Sequence, residues 1–551
     1  KDSHKRTVGT NMTSLVISRL SLTVLAVAAT TALTSIFGSG GSSIAVNDKS
    51  TLRQSLEVNP IYPSTSDGTT TIKPTLYTSE ALADQITSLP GLNYNHGFNQ
   101  FSGYFKVSEH YNRNIFYWYV ESQNDPENDP VVFWTNGGPG CSGLLGLAAE
   151  HGPYILSHDG TLTPNPYSWN KAANMLYVEQ PAGVGFSFFD DTDEESFYTS
   201  GDDMAAKDNW KLIKEFVKRF PERKANDFFI SSESYGGHYM PQLAKHILRH
   251  NTDNTINFRG FIVGNPYVDP YSNYVTQMTA YYGHGLIAKP LFDAWYESCA
   301  FIEQYDPKIC HGLERSMYQE MGPGINPYAL DYPICTKEIY DDSHKTPATT
   351  TPSSQVMALL QHSQFGLGSS HESSNTDRFL AGPPFLPSQD KYNPCAEVHT
   401  LNYLNRQDVR DALHVQVDKE WTVCTRDINY SRQDSNTPQV DLYIDLLQYA
   451  KDNANTTLNM MIFSGDDDSI CSTAGTQAWI YDLGVDHLPG SLWKAWTLND
   501  QTAGYVTKFD LGEGVKSSFT FVTVHGAGHE VPSYRPAEAL ELFKRYLSNE
   551  W

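Results

Sequence analysis

Residues 227–250 read DFFI, then SSESYGGHY, then MPQLAKHILRH, and few stretches restrict a fold more. A short apolar run suited to a buried strand passes through small residues into a segment of helical spacing. The turn nearly fits G-x-S-x-G, the sharp strand-to-helix bend that exposes a serine hydroxyl, with Ser232 in place of the first glycine. Serine and glycine also cluster in ordinary strand-to-helix loops, so these nine residues alone leave catalysis and a plain turn both open.

The remaining chain supplies the sheet that such a bend requires. FSGYFKV, NIFYWYVES, PVVFWTNGG and NMLYVEQPAG are β-rich runs closed by turn residues, and AAKDNWKLIKEFVKRF is a helix leading to the Ser234 strand. From about Leu401 a second block continues with the helix NRQDVRDAL, the strands LNMMIFSG and FTFVTV, and the helix PAEALELFKRYL. This order predicts an α/β fold, a mostly parallel central sheet with helices on both faces. The segments are 81–265 and 401–551 for the two parts of the core, with a cap inserted at 266–400. Within the cap, HKTPATTTPSS cannot pack a core and reads as an exposed loop open to nicking.

The amino-terminal end reads as processing sequence. After an upstream stretch, Met12 and Arg19 precede LTVLAVAATTALTSIF and small residues, a secretory signal within 1–37, too short and Thr-rich for a membrane span. Residues 38–80 are Ser/Thr/Gly/Pro-rich, as in a propeptide. The expected location is the secretory pathway, ending in a lysosome, a vacuole or outside the cell. A formal net charge of −24 argues against nucleic acid or an anionic membrane surface as partner. Seven cysteines allow disulfides with one thiol left over. Asn429 and Asn455 stand in glycosylation sequons.

A serine hydroxyl needs a base to take its proton, and the base needs a third group to hold its tautomer. In α/β-hydrolases the order is Ser, acid, His, each in a loop beyond a strand. MMIFSGDDDSIC offers Asp466, Asp467 and Asp468 after one strand, and FTFVTVHGAGHEVP offers His525 and His529 after another. WTNGGPGCSG, after the strand PVVFW, supplies a glycine-rich loop whose backbone amides, with that of Tyr235, could face a developing oxyanion. The spacing of cysteines and histidines contains no zinc motif, so no metal or organic cofactor is expected.

From about Ala83 to the carboxyl terminus the chain resembles the serine carboxypeptidases, in particular cathepsin A-like and carboxypeptidase Y-like enzymes. The likeness is dense in VESQNDPENDPVVFWTNGGPGCSG, HGPY, NPYSWNKAANMLYVEQPAGVGFSF, SESYGGHYMPQLA, DVRDALHV, SGDDDSIC and GAGHEVPSYRP. The resemblance implies Ser234 as nucleophile, His529 as general base, and Asp468, three residues before Cys471, as its partner. It implies oxyanion donors at Gly138 and Tyr235. It places the substrate's terminal carboxylate against Asn136 and Glu233, with Trp134 and the Gly137 amide beside them and Glu150 paired with Glu233. It implies disulfides Cys141–Cys424, Cys299–Cys310 and Cys335–Cys395, with Cys471 a free thiol near the site.

A carboxylate facing a carboxylate repels unless a proton is shared, so Glu233 should work protonated, at acidic pH. The expected function is serine-type release of amino acids from peptides bearing a free C-terminal carboxylate, through an acyl-enzyme. Two rivals are acyl transfer from sugar esters, which some relatives perform with the same triad, and a non-catalytic role as a protective partner glycoprotein. Side-chain preference is not legible, and a homodimer stays open. Two departures from the family pattern are Ser232 at the elbow and CSTAGTQAW after Cys471.

Overall fold

The structure, a computed structural model, describes residues 77–109, 112–189, 199–336 and 392–551. The signal, nearly all of the propeptide segment and the Thr/Pro/Ser-rich loop lie outside the described residues.

The sheet has ten strands: β1 (Gln100–Ser108), β2 (Arg113–Val120), β3 (Val131–Thr135), β4 (Asn174–Val178), β5 (Phe228–Glu233), β6 (Phe258–Gly264), β7 (Asn459–Gly465), β8 (Lys494–Leu498), β9 (Gln501–Phe509) and β10 (Phe519–Val524). Their spatial order is β1-β2-β4-β3-β5-β6-β7-β10-β9-β8. The six central strands, from β4 to β10, run parallel. Antiparallel pairs close each flank. This is the doubly covered, mostly parallel sheet that the alternation of runs predicts.

Side-chain alternation along the strands builds two cores. Val131 and Phe133 of β3 pack in one core with α1 (Asp202–Arg219) and α2 (Gly236–His250), and Val132 and Trp134 pack in the other. Both faces being covered, the central strands are buried on both sides along nearly their whole length rather than alternating between core and solvent. Three further helices, α3 (Pro270–Gly283), α4 (Lys289–Cys299) and α5 (Pro307–Met321), enclose a small core of their own around Trp295, Met278 and Met317. The disulfide between Cys299 and Cys310 ties α4 to α5. Helix α6 (Ala396–Leu404) and helix α7 (Pro536–Ser548) contribute to the second core.

Because β3, β5, β6, β7 and β10 are parallel, their carboxyl ends share one edge of the sheet, where open α/β sheets form their crevices. The loops carrying Gly137, Ser234, Asn265, Asp468 and His529 each follow one of these strands. Topology therefore gathers residues that are up to several hundred positions apart.

Candidate active site

Ser234 follows β5 directly and has φ +59°, the left-handed region that a side chain rarely adopts. Its amide donates to the Gly264 carbonyl at 3.0 Å, and its own carbonyl accepts from Tyr267 at 2.8 Å and Gly237 at 2.9 Å. Backbone bonds thus hold the strained turn from both sides. The missing first glycine has a local explanation. A Cβ on Gly236 would lie 2.4 Å from the Ser232 Cβ, so one side chain fits between the two positions and Gly236 leaves the room that Ser232 fills. Gly137 is pressed against the same bend, since a Cβ there would meet the Tyr235 amide nitrogen at 2.5 Å.

His529 is buried, and its Nδ1 lies 2.6 Å from Asp468 Oδ2. Asp468 is itself fixed by four donors. Its Oδ2 also accepts from Asn265 Nδ2 at 2.9 Å and the Cys471 amide at 3.0 Å, and its Oδ1 accepts from the Ile470 amide at 2.7 Å. The other histidine of the motif pairs elsewhere: His525 Nδ1 lies 2.8 Å from Asp466 Oδ2 at the surface. The two loops therefore exchange two His–Asp pairs, one buried and one at the surface. Burial works against a charged His529, but the Asp468 carboxylate outweighs it, with Glu530 and Glu150 beyond, and lifts the imidazole to about 9. Whenever those two glutamates hold protons, their share of the lift falls away.

Ser234, His529, Gly137 and Gly138 line one cavity of about 1060 Å³, together with five glutamates. Asn136 organises two of them, its Nδ2 donating to Glu150 Oε1 at 2.8 Å and to Glu233 Oε1 at 2.7 Å. Glu150 sits at the end of a single π-helical turn, Gly146–Glu150, whose Gly146 amide bonds Asn136 Oδ1 at 3.1 Å. Burial, then the charge of Glu530, pushes Glu150 up to about 8. Burial and then Glu150 hold Glu233 well above the usual carboxyl range. Glu150 Oε2 is buried without a fixed donor, and a proton on Glu233 would serve it.

Trp134 differs from the expectation. It is fully buried beneath the cavity and its Nε1 donates to Asn136 Oδ1 at 2.9 Å, so the indole orients the asparagine and has no surface to offer a ligand. Cys471 is likewise buried, and burial, Asp468 and Glu233 in turn push its thiol well up. Cys141 is joined to Cys424 and Cys335 to Cys395. Asn429 and Asn455 are exposed.

Sequence reasoning missed Asn265, Glu530 and Glu397. Asn265 ends the run FIVGN, a residue just beyond a sheet strand like the other site residues, and that position was its signal. Glu530 adjoins His529 and is pushed up by burial. Glu397, at the start of α6, is exposed to the cavity, and desolvation by the cavity walls, then Glu530, lifts it to about 7. Nothing in its local sequence announces a place in the cavity.

The family model described as serine carboxypeptidase matches residues 90–549. This chain belongs to the serine carboxypeptidase family. Serine carboxypeptidase-like 26 of Arabidopsis thaliana is 35% identical over 475 residues, covering 85% of this chain and 93% of that relative. Serine carboxypeptidase 24 of the same plant is 32% identical over 478 residues, 85% of this chain and 92% of its own. The crystal structure of Kex1(delta)p, a prohormone-processing carboxypeptidase from Saccharomyces cerevisiae, superimposes with a TM-score of 0.62 at 20% identity, covering 85% of this chain and 96% of that one. The fold is the α/β-hydrolase fold of this family.

Buried acids shape the stability of this family member. Glu179, fully buried, is raised to about 7 by burial against bonds from Ser142, the Phe186 amide and Trp421, and Glu222 is raised to about 7 chiefly by burial. A raised carboxyl favours the folded state below its unfolded value, and that contribution fades as pH climbs through the folded value. From about 4.5 to about 7, Glu179 alone accounts for on the order of 3 kcal/mol. Thermal unfolding should therefore show a Tm several degrees higher at pH 5 than at pH 8. A Tm that rises with pH would contradict it.

Proposed function

We propose that the protein is a serine-type carboxypeptidase that removes amino acids from peptides with a free C-terminal carboxylate, working at acidic pH in the secretory pathway, in a lysosome or vacuole, or outside the cell. Ser234 attacks the last peptide carbonyl while the neutral form of His529 takes its proton on Nε2, Nδ1 being held by Asp468; the lift on the imidazole keeps that form a minority at acidic pH, and protonation of Glu150 and Glu530 there enlarges it. The tetrahedral oxyanion is met by the backbone amides of Gly138 and of Tyr235, the residue at the start of α2. His529 then returns the proton to the leaving amine, and water hydrolyses the acyl-enzyme.

The observation that carries the reading is the Glu150–Asn136–Glu233 array in the wall of the cavity that holds Ser234. Below the raised values of both carboxyls each holds a proton, so one O–H can bridge Glu233 and Glu150 while the other is left to donate to a substrate carboxylate, and a general esterase has no use for that donor. Above about pH 8, the range to which Glu150 is raised, the array becomes anionic and repels the substrate's terminus.

Free amino acid should be released from a blocked dipeptide such as carbobenzoxy-Phe-Leu at pH 5, and its amide should be a poor substrate. KM for the free acid should rise at least tenfold between pH 6 and pH 9, while KM for the amide stays level. Glu150→Gln, which keeps a donor in place of the group raised to about 8, should flatten the free-acid profile. Turnover of glucose esters without any peptide turnover would favour acyl transfer instead. A Ser234→Ala protein that kept its whole biological effect would favour the protective-partner role.

A further inference from the structure

Asp467, the residue before Asp468, is 4% exposed, and its Oδ1 has no hydrogen-bond donor among the described residues. His284, the residue that ends α3, points Nε2 at this oxygen from 3.5 Å. Its other nitrogen is engaged: Nδ1 lies 2.9 Å from the Ala280 carbonyl, which can only accept, so Nδ1 carries the proton. In the neutral imidazole Nε2 is then a bare lone pair facing a carboxylate lone pair, an arrangement that a proton or a bound cation between them would relieve. A carboxylate oxygen of Asp331 completes the group, and the three ligand atoms lie within 4.8 Å of one another.

We propose that His284, Asp331 and Asp467 bind a divalent transition-metal ion, zinc foremost, outside the catalytic cavity. The donors choose the metal, since an imidazole with carboxylates suits a borderline ion rather than calcium or magnesium. The spacing agrees too: two ligands on a tetrahedral zinc at about 2.0–2.1 Å stand about 3.3 Å apart, close to the 3.5 Å seen between His284 and Asp467. The bond from Nδ1 to a backbone carbonyl is the outer support that fixes a metal-binding tautomer. His284 and Asp331 are exposed, so water can reach the remaining coordination position. A doubly protonated His284 is the other cation that fits the gap, but it leaves Asp331 without a part.

The ion would clasp three segments that sequence keeps far apart, which is why no spacing motif announces it. Asp467 Oδ2 already accepts from the Asp331 amide at 3.0 Å, its carbonyl accepts from Leu330 at 3.1 Å, and the Tyr328 carbonyl accepts from the His529 amide at 2.7 Å. Metal at this point braces the segment around Tyr328, and with it the loops carrying Asp468 and His529, against the end of α3.

Calorimetric titration of the chelator-treated, full-length protein with zinc chloride at pH 7, alongside His284→Gln and Asp331→Asn, decides it. The wild type should take up one zinc per chain, and each variant should bind at least tenfold more weakly. Cobalt(II) in the same site should give the intense visible bands of a tetrahedral complex, absent in His284→Gln. Both altered side chains are exposed, so the metal-free variants should unfold within a degree or two of metal-free wild type. No saturable uptake by the wild type, or uptake unchanged in both variants, would overturn the proposal.

Discussion

With Ser234 replaced by alanine, kcat for a blocked dipeptide falls by roughly 10⁶-fold, because the acyl-enzyme route closes and only binding and oxyanion donors remain. The same change leaves Tm almost where it was. The turn is held by its backbone, through Gly264, Tyr267 and Gly237, and alanine meets the same left-handed φ of +59° that serine tolerates. Loss of activity with an unchanged melting curve is the combination to look for. A Ser234→Ala protein that still turned over peptides within a hundredfold of wild type would remove Ser234 as the nucleophile.

Asp468→Asn is expected to lower kcat by about 10⁴-fold. The side chain accepts four hydrogen bonds across two oxygens, from His529, Asn265, Cys471 and Ile470. An asparagine offers one accepting oxygen. If that oxygen faces His529, its amide group meets the Ile470 amide donor. If it is flipped, the amide group meets His529 Nδ1 and drives the imidazole proton to Nε2, the nitrogen that must be free for Ser234. Asp466→Asn is the matched control: its partner His525 is at the surface, and kcat should change no more than a few-fold. Equal losses in the two variants, measured on the same dipeptide at pH 5, would mean that the partner of the base has been misassigned.

The parts of the site that were legible in the sequence follow strands. Turn chemistry just past an apolar run is a local signal, and it reaches Ser234, the three aspartates, the two histidines and the Gly137–Gly138 loop. Choosing between Asp466 and Asp468, or between His525 and His529, needs the depth of each side chain, and depth is a property of the folded loops. Family resemblance named one pair, and the structure places that pair in the interior and the other pair in solvent. Trp134 was legible as a strand residue, but its direction depends on β3 side-chain alternation, which sends it beneath Asn136 instead of into the cavity. Glu397 and Glu530 were out of reach for a different reason. A glutamate in sequence has the same chemistry whether it lies on a helix exterior or lines an enclosed acid pocket, and only the packing around it moves its proton affinity. The Ser232 departure became intelligible once Gly236 was seen across from it, because steric room is shared by a pair of positions and no single residue states it.

The disulfides have a further consequence. Ser234 comes from the amino-terminal part of the chain and Asp468 and His529 from the carboxyl-terminal part, and β6 and β7, hydrogen-bonded neighbours, belong to different parts. Cys335–Cys395 brackets the intervening segment, and Cys141–Cys424 joins the two parts again beside the glycine-rich loop. A backbone break anywhere between Cys335 and Cys395 would divide the polypeptide without dividing the particle: two covalent staples and a shared sheet would keep both fragments in register, with Ser234 on one and the Asp468–His529 pair on the other.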